Sequence, residues 1–334
     1  MIRIGTVGTN WITQQLVEAL ALSKRYELAA VYSRHEDTAT AFAAKNHAQA
    51  SYTDYRDMLQ QADLDVVYLA SPNSVHFEQA MQAIAHDISV IVEKPAFSNR
   101  QEMIAVQAAL AQHPQVKFFE AARHVHTPNF HAIEKALAGL TTVQGAALTY
   151  MKYSSRYDDV LAGGTPNVFT PEFSGGALQD LGVYPIYLAI ALFGEPTDVA
   201  YYPTLIATGA DGKGLAVLRY GDFDVFVSFG KTSNSYAISE IYGLKETIAL
   251  DSAGELTHVE QYDETGTVQN LSQPDLANPM LPEVVDFARV LTAPDDAQNQ
   301  ADYHRWMAWS LTANRALYQL RVSANLRFPA DDND

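Results

Sequence analysis

The chain has 334 residues, a formal net charge of −17 and no cysteine, and 48% of it is hydrophobic. That length points to two domains rather than one core, and the missing thiols exclude disulfides, thiolate metal sites and cysteine nucleophiles. The acidic balance, with no basic stripe to offset it, argues against nucleic acid and anionic membranes and favours a small-molecule partner. No run of about 18 apolar residues is present, and the N-terminus lacks a basic stretch followed by an apolar segment. A cytoplasmic globular protein is expected.

From the start to Arg123, short apolar runs alternate with helical patterns. "IRIGTVG" reads as a strand, and "WITQQLVEALALS" as a helix with Ile12, Leu16 and Leu20 on one face. "YELAAVYS" is a second strand and "EDTATAFAAKN" a second helix, followed by a short helix in "YRDMLQQA" and a strand in "LDVVYLAS". A helix in "SVHFEQAMQAIAH", capped by Asn73 or Ser74, leads to the strand "ISVIVEK", the helix "RQEMIAVQAALAQH" and the strand "QVKFFEAA". Strictly alternating strands and helices, with strands apolar throughout, specify a parallel sheet covered on both faces. Residues 1–123 are therefore expected to form a doubly wound, Rossmann-type nucleotide-binding domain.

After Arg123 the pattern changes. A helix from about Ala177 to Phe193, stopped by Gly194 and Pro196, precedes most of a series of strand-like runs. These runs are "TTVQGAALTYMKY", "TDVAYYPTLIAT", "GLAVLRY", "DFDVFVSFG", "YAISEIYG", "KETIALDS" and "LTHVEQYD", with a hairpin turn at Gly221-Asp222. Residues 124–334 thus read as an α+β domain with a large open, mostly antiparallel sheet. A last amphipathic helix runs from about Tyr303 to Arg321, and the acidic end "ADDND" reads as disordered.

The first strand ends in "GTVGTNWIT", where the dinucleotide pattern G-x-G-x-x-G finds Gly8, then Asn10 and Thr13 in place of the second and third glycines. Asn tolerates positive φ better than other non-glycine residues, so Asn10 is expected to make the tight turn. The second strand ends in "VYSRH". An Asp or Glu at this point would accept from a ribose hydroxyl; Ser33 and Arg34 instead suit a 2′-phosphate, which a guanidinium fork can bind. NADP is expected over NAD.

"YLASPNSVH" (Tyr68 to His76) and "VIVEKP" (Val90 to Pro95) lie at the ends of successive strands. Together with "RIGTVGTNWI" and "GGALQDLGVYPIY", they give a chain that resembles the glucose–fructose oxidoreductase, inositol dehydrogenase and MocA family over nearly its whole length. The resemblance implies a two-domain NAD(P)-dependent oxidoreductase acting on sugars, polyols or related carbonyl compounds. It implies that Gly8, Thr9, Asn10, Trp11 and Ile12 line the pyrophosphate, that Ser71, Pro72, Asn73 and His76 approach the nicotinamide half, and that Glu93 and Lys94 sit at the reaction centre. It also implies a dimer or tetramer through the second domain's sheet. Apolar residues on both faces, as in Val225, Phe226, Val227 and Phe229, point the same way. Many members carry His in the Asp-x-Gly-x-His stretch where this chain has Tyr184; the branch resembling the dimeric dihydrodiol dehydrogenases has Tyr, which turns the expectation away from inositol dehydrogenase chemistry.

Hydride exchange with a carbinol carbon needs a proton to leave or join the oxygen. Tyr184 is expected to exchange it, Lys94 to assist electrostatically, and Asp180, four residues before Tyr184 on one helical face, to orient the substrate. Arg123 and His124 are expected to line the cleft, and Lys152 to reach a polar substrate. Glu120, His124, His126 and His131 fall close together in sequence, but two histidines at i, i+2 share a face only in an extended chain, and no metal is expected. Two other readings stay open. A cofactor-binding regulator without turnover would show decay of Lys94 and Tyr184, both of which are present. An S-adenosylmethionine methyltransferase would want an acid where Ser33 and Arg34 stand.

Overall fold

The computed structural model describes residues 1–333. In chain order its elements are β1 (Ile2–Val7), α1 (Trp11–Ser23), β2 (Tyr26–Tyr32), α2 (Glu36–Lys45), β3 (Ala50–Tyr52), α3 (Tyr55–Gln61), β4 (Val66–Leu69), α4 (His76–Ala85), β5 (Ser89–Glu93), α5 (Arg100–Gln112) and β6 (Phe118–Ala121). There follow α6 (Pro128–Ala138), β7 (Gly145–Met151), α7 (Arg156–Leu161), a π-helical turn (Leu178–Gly182), α8 (Val183–Phe193), β8 (Asp198–Leu205), β9 (Asp211–Arg219) and β10 (Asp224–Gly230). The chain ends with β11 (Ser239–Tyr242), β12 (Thr247–Leu250), β13 (Val259–Tyr262), β14 (Val268–Asn270), α9 (Leu281–Thr292) and α10 (Ala297–Ser323).

Two compact units result, one of Met1–Arg123 with Leu276–Ala308, the other of His124–Asp275 with the chain from Trp309 on. The sequence reading puts residues 276–308 with the second domain, whereas here they pack with the first. The reason is α9, whose apolar face lies on β1 and α1. Its Phe287 stacks on Phe119 of β6, ring centroids 4.6 Å apart.

The first unit is a six-stranded sheet in the order β3-β2-β1-β4-β5-β6, parallel throughout. The chain winds outward from β1 in one direction and from β4 in the other, so the crevice at which ligands bind such sheets opens at the carboxyl ends of these two strands. β4 and β5 are buried along their whole length, as apolar strands covered on both faces must be.

The second unit is an eight-stranded sheet, β14-β13-β12-β11-β7-β10-β9-β8. All its pairs are antiparallel except β7 with β10. One face carries Tyr201, Ala216, Val225, Val227 and Phe229, all buried, and α8 packs on it. The other face carries Tyr202, Leu215 and Phe226, 64%, 44% and 49% exposed. Of the β10 residues expected on both faces, only Phe226 points outward; the period-2 alternation sends Val225, Val227 and Phe229 inward.

One apolar helix and the acidic end bear on the sequence reading. The helical stretch Pro171–Phe193 is long and apolar enough to cross a membrane by composition, yet 72% of its most apolar window is buried within the protein; its apolarity serves the core of the second unit. The acidic end is not a solvated tail, because Pro329–Asn333 forms a 3₁₀ turn and Asp331 is buried against Arg321. Asp334 lies outside the described residues.

Candidate active site

The carboxyl end of β1 is built for a close approach. Gly8 has φ +101°, and a Cβ there would stand 2.9 Å from the Ala70 carbonyl oxygen at the end of β4, so glycine alone fits. Asn10 does not take the left-handed conformation expected of it. Its φ is −80°, and it caps α1 instead, Oδ1 accepting from the Ile12 and Thr13 amides at 3.0 and 3.1 Å. Nδ2 donates to Ala70 O at 3.2 Å, tying the β1 loop to the β4 loop. A helix N-terminus opening at a parallel switch point favours an anion. Thr9 lies between Gly8 and this cap, and Trp11, the first helical residue, is 72% exposed. The turn therefore fits a dinucleotide pyrophosphate with a single glycine. At the end of β2, Ser33 N donates to Tyr52 O at 3.1 Å, and Arg34 is exposed beside it.

The loops after β4 and β5 are pinned to each other. Ser71 Oγ donates to Gln79 Oε1 at 2.6 Å, and Pro72 leads into a 3₁₀ turn, Asn73–Val75. Asn73 and Ser74 thus lie inside that turn and do not cap α4, which starts at His76 without a side-chain cap. His76 is fully buried. Its Nε2 lies 2.9 Å from Ser71 O, and its Nδ1 lies 3.2 Å from Ala96 O and 3.3 Å from Pro95 O. Burial lowers its pKa from the ordinary histidine value, against the raising effect of the three carbonyls. His76 fastens the two loops together instead of facing a ligand.

Glu93 closes β5 and Lys94 follows it, half-buried. The Tyr68 hydroxyl donates to Glu93 Oε1 at 2.5 Å. Burial raises the Glu93 carboxyl above its usual range; Lys94, the Tyr68 bond and then Arg123 oppose this without cancelling it. After β5, Ala96 N donates to Glu120 Oε1 at 2.8 Å. Arg123 turns into the first unit, where Nη1 donates to Gln15 Oε1 at 3.1 Å.

Sequence reasoning passes over Glu283 on α9. It is fully buried, and neither carboxyl oxygen has a hydrogen-bond partner. Burial, with Glu93 adding to it, raises its pKa well above the carboxylate range, and Arg123 opposes. The bordering Tyr26 hydroxyl donates to Val284 O at 2.8 Å. Buried Glu93 and Glu283 and half-buried Arg123 are thus coupled electrostatically, with Tyr68 bonded to Glu93.

In the second unit Tyr184, at the start of α8, is 7% exposed. Its ring packs at 5.1 Å from His124 and edge-on at 5.3 Å from Tyr150. His124 Nε2 lies 3.0 Å from the Tyr184 carbonyl, so this buried histidine supports the α8 start. Asp180 belongs to the π-helical turn, whose i→i+5 bonding shifts it off the expected i, i+4 alignment with Tyr184. Pro185 supplies the reason, since it has no N–H for the preceding turn and its ring crowds the carbonyl four residues back. Asp180 forms an ion pair with Lys231, another residue the sequence does not single out. Lys152 is exposed after β7, its amide donating to Gly230 O at 3.0 Å.

Among the described residues no three His, Asp or Glu side chains gather as a metal site. Glu120 and His124 have the partners given above, and His131 Nδ1 bonds Glu134 at 2.9 Å. A groove of about 390 Å³ lined by Pro114, Lys117, Tyr303 and His304 lies at the amino end of β6, the opposite end of the strands from this chemistry.

A 3-2-1-4-5-6 parallel sheet, a glycine turn that opens a helix and a Glu-Lys-Pro turn two strands away define a nicotinamide-dinucleotide oxidoreductase. Residues 2–121 match the model of the oxidoreductase family with an NAD-binding Rossmann fold, and residues 144–249 match the GFO/IDH/MocA C-terminal domain. The chain belongs to the Gfo/Idh/MocA family. It is 38% identical over 331 residues, 99% of each chain, to the uncharacterized oxidoreductase YgjR of Escherichia coli (strain K12). It is 36% identical, again over 99% of each, to the scyllo-inositol 2-dehydrogenase (NADP(+)) IolU of Bacillus subtilis (strain 168). The fold is shared with KijD10, a 3-ketoreductase of Actinomadura kijaniata solved with TDP-benzene and NADP, at TM-score 0.82 and 19% identity over 96% of this chain and 97% of that one.

Proposed function

We propose that this protein is an NADP-linked dehydrogenase or reductase of a cyclic polyol or sugar-like substrate. The observation that carries the reading is the fixed Glu93-Lys94 turn at the end of β5, next to the β1–β4 switch point. The 36% identical relative named as an NADP(+)-dependent scyllo-inositol dehydrogenase supports both the cofactor and the polyol, and it brings inositols back into a range from which Tyr184 had turned the expectation.

Gly8, Thr9, Asn10, Trp11 and Ile12 would hold the pyrophosphate, Ser33 and Arg34 the 2′-phosphate, and Ser71, Pro72 and Asn73 the nicotinamide half. The nicotinamide, when bound, accepts or returns the hydride. Tyr184 would exchange the substrate hydroxyl proton at its phenol oxygen, Lys94 would assist electrostatically, and Asp180 would orient the substrate. The test is NADP⁺ reduction over scyllo-inositol, myo-inositol, D-xylose, D-glucose and trans-1,2-dihydrobenzene-1,2-diol, followed by Tyr184→Phe on the best substrate. Turnover should fall roughly 10²–10⁴-fold with NADPH binding retained. Near-full turnover in Tyr184→Phe removes the assignment, and tight NADPH binding with no turnover on any of the five favours a regulator.

The outward row Tyr202, Leu215 and Phe226 is an apolar face that a second copy of the chain would cover, giving a homodimer or homotetramer. A cysteine-free chain of this kind suits the reducing cytoplasm.

A further inference from the structure

Lys231 follows directly on β10, and its backbone is held on both sides: its amide donates to Gly212 O at 2.8 Å, and its carbonyl accepts from Ser154 N at 2.9 Å. The side chain is 4% exposed, a place lysine occupies only when its charge is paired. Its Nζ bonds Asp180 Oδ2 and sits 5.0 Å from the centre of the Phe169 ring, itself fully buried. An ammonium over an aromatic face is further stabilised by the ring quadrupole. Asp180 is the asymmetric partner. Its side chain keeps 31% exposure while the lysine is sealed in, so solvent reaches one member of the pair and not the other. Asp180 also lies on the π-helical turn, a geometry that frees a helical side chain from its usual direction and recurs at functional sites.

We propose that Lys231 is a positioning residue for the reaction: it clamps the Asp180 carboxylate, ionised and in one rotamer, as the acceptor for a hydroxyl of a neutral polyol substrate. The proposal rests on the reading that Asp180 orients the substrate. A carboxylate already ordered by its lysine loses little rotamer freedom when a substrate binds, and that saving appears in affinity. It belongs to ground state and transition state alike, so it appears in KM and leaves kcat nearly unchanged. A lysine that served packing alone would be replaceable by an apolar chain of similar length without such an effect.

The experiment uses the full-length enzyme and whichever of the five compounds above has the highest kcat/KM with NADP⁺. The variants are Asp180→Asn, Lys231→Met, Lys231→Arg and the double variant Asp180→Asn/Lys231→Met, each checked for NADPH affinity by fluorescence titration. Asp180→Asn should raise KM roughly 10- to 100-fold, the range for a hydrogen bond to a charged group. Lys231→Met should raise KM roughly 3- to 10-fold with kcat and NADPH affinity little changed. Lys231→Arg should restore most of that loss, and the double variant should match Asp180→Asn, because the clamp works through Asp180. If Asp180→Asn leaves KM unchanged, the reading of Asp180 fails and the proposal with it. If Asp180→Asn raises KM but Lys231→Met does not, or if the two losses add in the double variant, that reading stands and the clamp is wrong. Should Lys231→Met not fold, Lys231→Arg decides: a KM as high as that of Asp180→Asn overturns the clamp. Absence of turnover on all five compounds removes the function and this proposal together.

Discussion

Tyr68 Oη donates to Glu93 Oε1 across two neighbouring strands of the first unit, and this bond fixes the acid of the Glu-Lys-Pro turn from inside the protein. The bond favours the ionised carboxylate, while burial, the larger effect, disfavours it. A carboxyl whose folded pKa is raised contributes stability that is complete below the ordinary Glu range and is lost as pH rises through the raised value. The Tyr68 bond limits that loss. Tyr68→Phe should therefore cost roughly 1–3 kcal/mol, and thermal unfolding should show the deficit widening from pH 5 to pH 8. A deficit that is the same at both pH values would show that the Tyr68 bond does not favour the carboxylate form of Glu93.

Glu283 gives the opposite result. It is buried without a hydrogen-bond partner, and burial plus the proximity of Glu93 raise its pKa. By the same sign rule the wild type loses stability at this position as pH rises above the ordinary Glu range. Glu283→Gln keeps the shape and cannot ionise. Its melting temperature should gain on the wild type between pH 5 and pH 8, by a few degrees for each kcal/mol at this chain length. Equal pH profiles for the two proteins mean that Glu283 does not titrate in that interval.

The alternation of strand and helix in the first unit is legible because fully covered parallel strands read as unbroken apolar runs, as in Val66–Leu69 and Ser89–Glu93. β3, with three residues, is too short to show a period. α9 is amphipathic enough to read but follows a long stretch of turns, so its place beside β1 depends on pairings such as Phe119 with Phe287 that no local pattern reveals. The candidate site divides in the same way. Gly8, Ser33, Arg34 and the Glu93-Lys94 pair are legible because each ends a strand. Lys231 is not: a lysine at a strand end reads as a solvated charge, and its partner Asp180 lies 51 residues away. His76 misleads for the converse reason, since a histidine beside a cofactor loop reads as a ligand group, and only its burial among three carbonyls shows it to be a fastening.

Arg321 and Asp331 tie the acidic end to α10. Nη1 and Nη2 donate to the two carboxylate oxygens at 2.7 and 2.9 Å, the guanidinium lies 4.0 Å from the Phe328 ring centre, and Phe328 N donates to Asp331 at 2.8 Å. The arginine side chain is 1% exposed and the aspartate 4%. Removing one partner of such a pair leaves a buried charge uncompensated, at a cost of roughly 3–5 kcal/mol. Asp331→Asn should lower the melting temperature on the order of 10 °C while leaving NADPH affinity unchanged. A shift below about 2 °C would show that the tail does not hold α10 in the folded protein.

Arg34 is the residue proposed to hold the cofactor 2′-phosphate. It stands exposed at the end of β2 next to Ser33, whose amide is spent on Tyr52 O, and no carboxylate occupies either position to accept from a ribose hydroxyl. A guanidinium gives a 2′-phosphate a charge-assisted, two-pronged contact that a ribose hydroxyl cannot draw on. Being exposed, it can be removed without disturbing the fold. Arg34→Ala should weaken NADPH roughly 10-fold or more, the range for a hydrogen bond to a charged group, and leave NADH within about 2-fold, since NADH has no phosphate for the arginine to hold. Parallel fluorescence titrations of the wild type and the variant measure this directly, and raising the salt concentration should weaken NADPH more than NADH in the wild type alone. Equal losses for both dinucleotides would mean that Arg34 contacts a part they share, such as the adenine or the pyrophosphate, and does not select the 2′-phosphate.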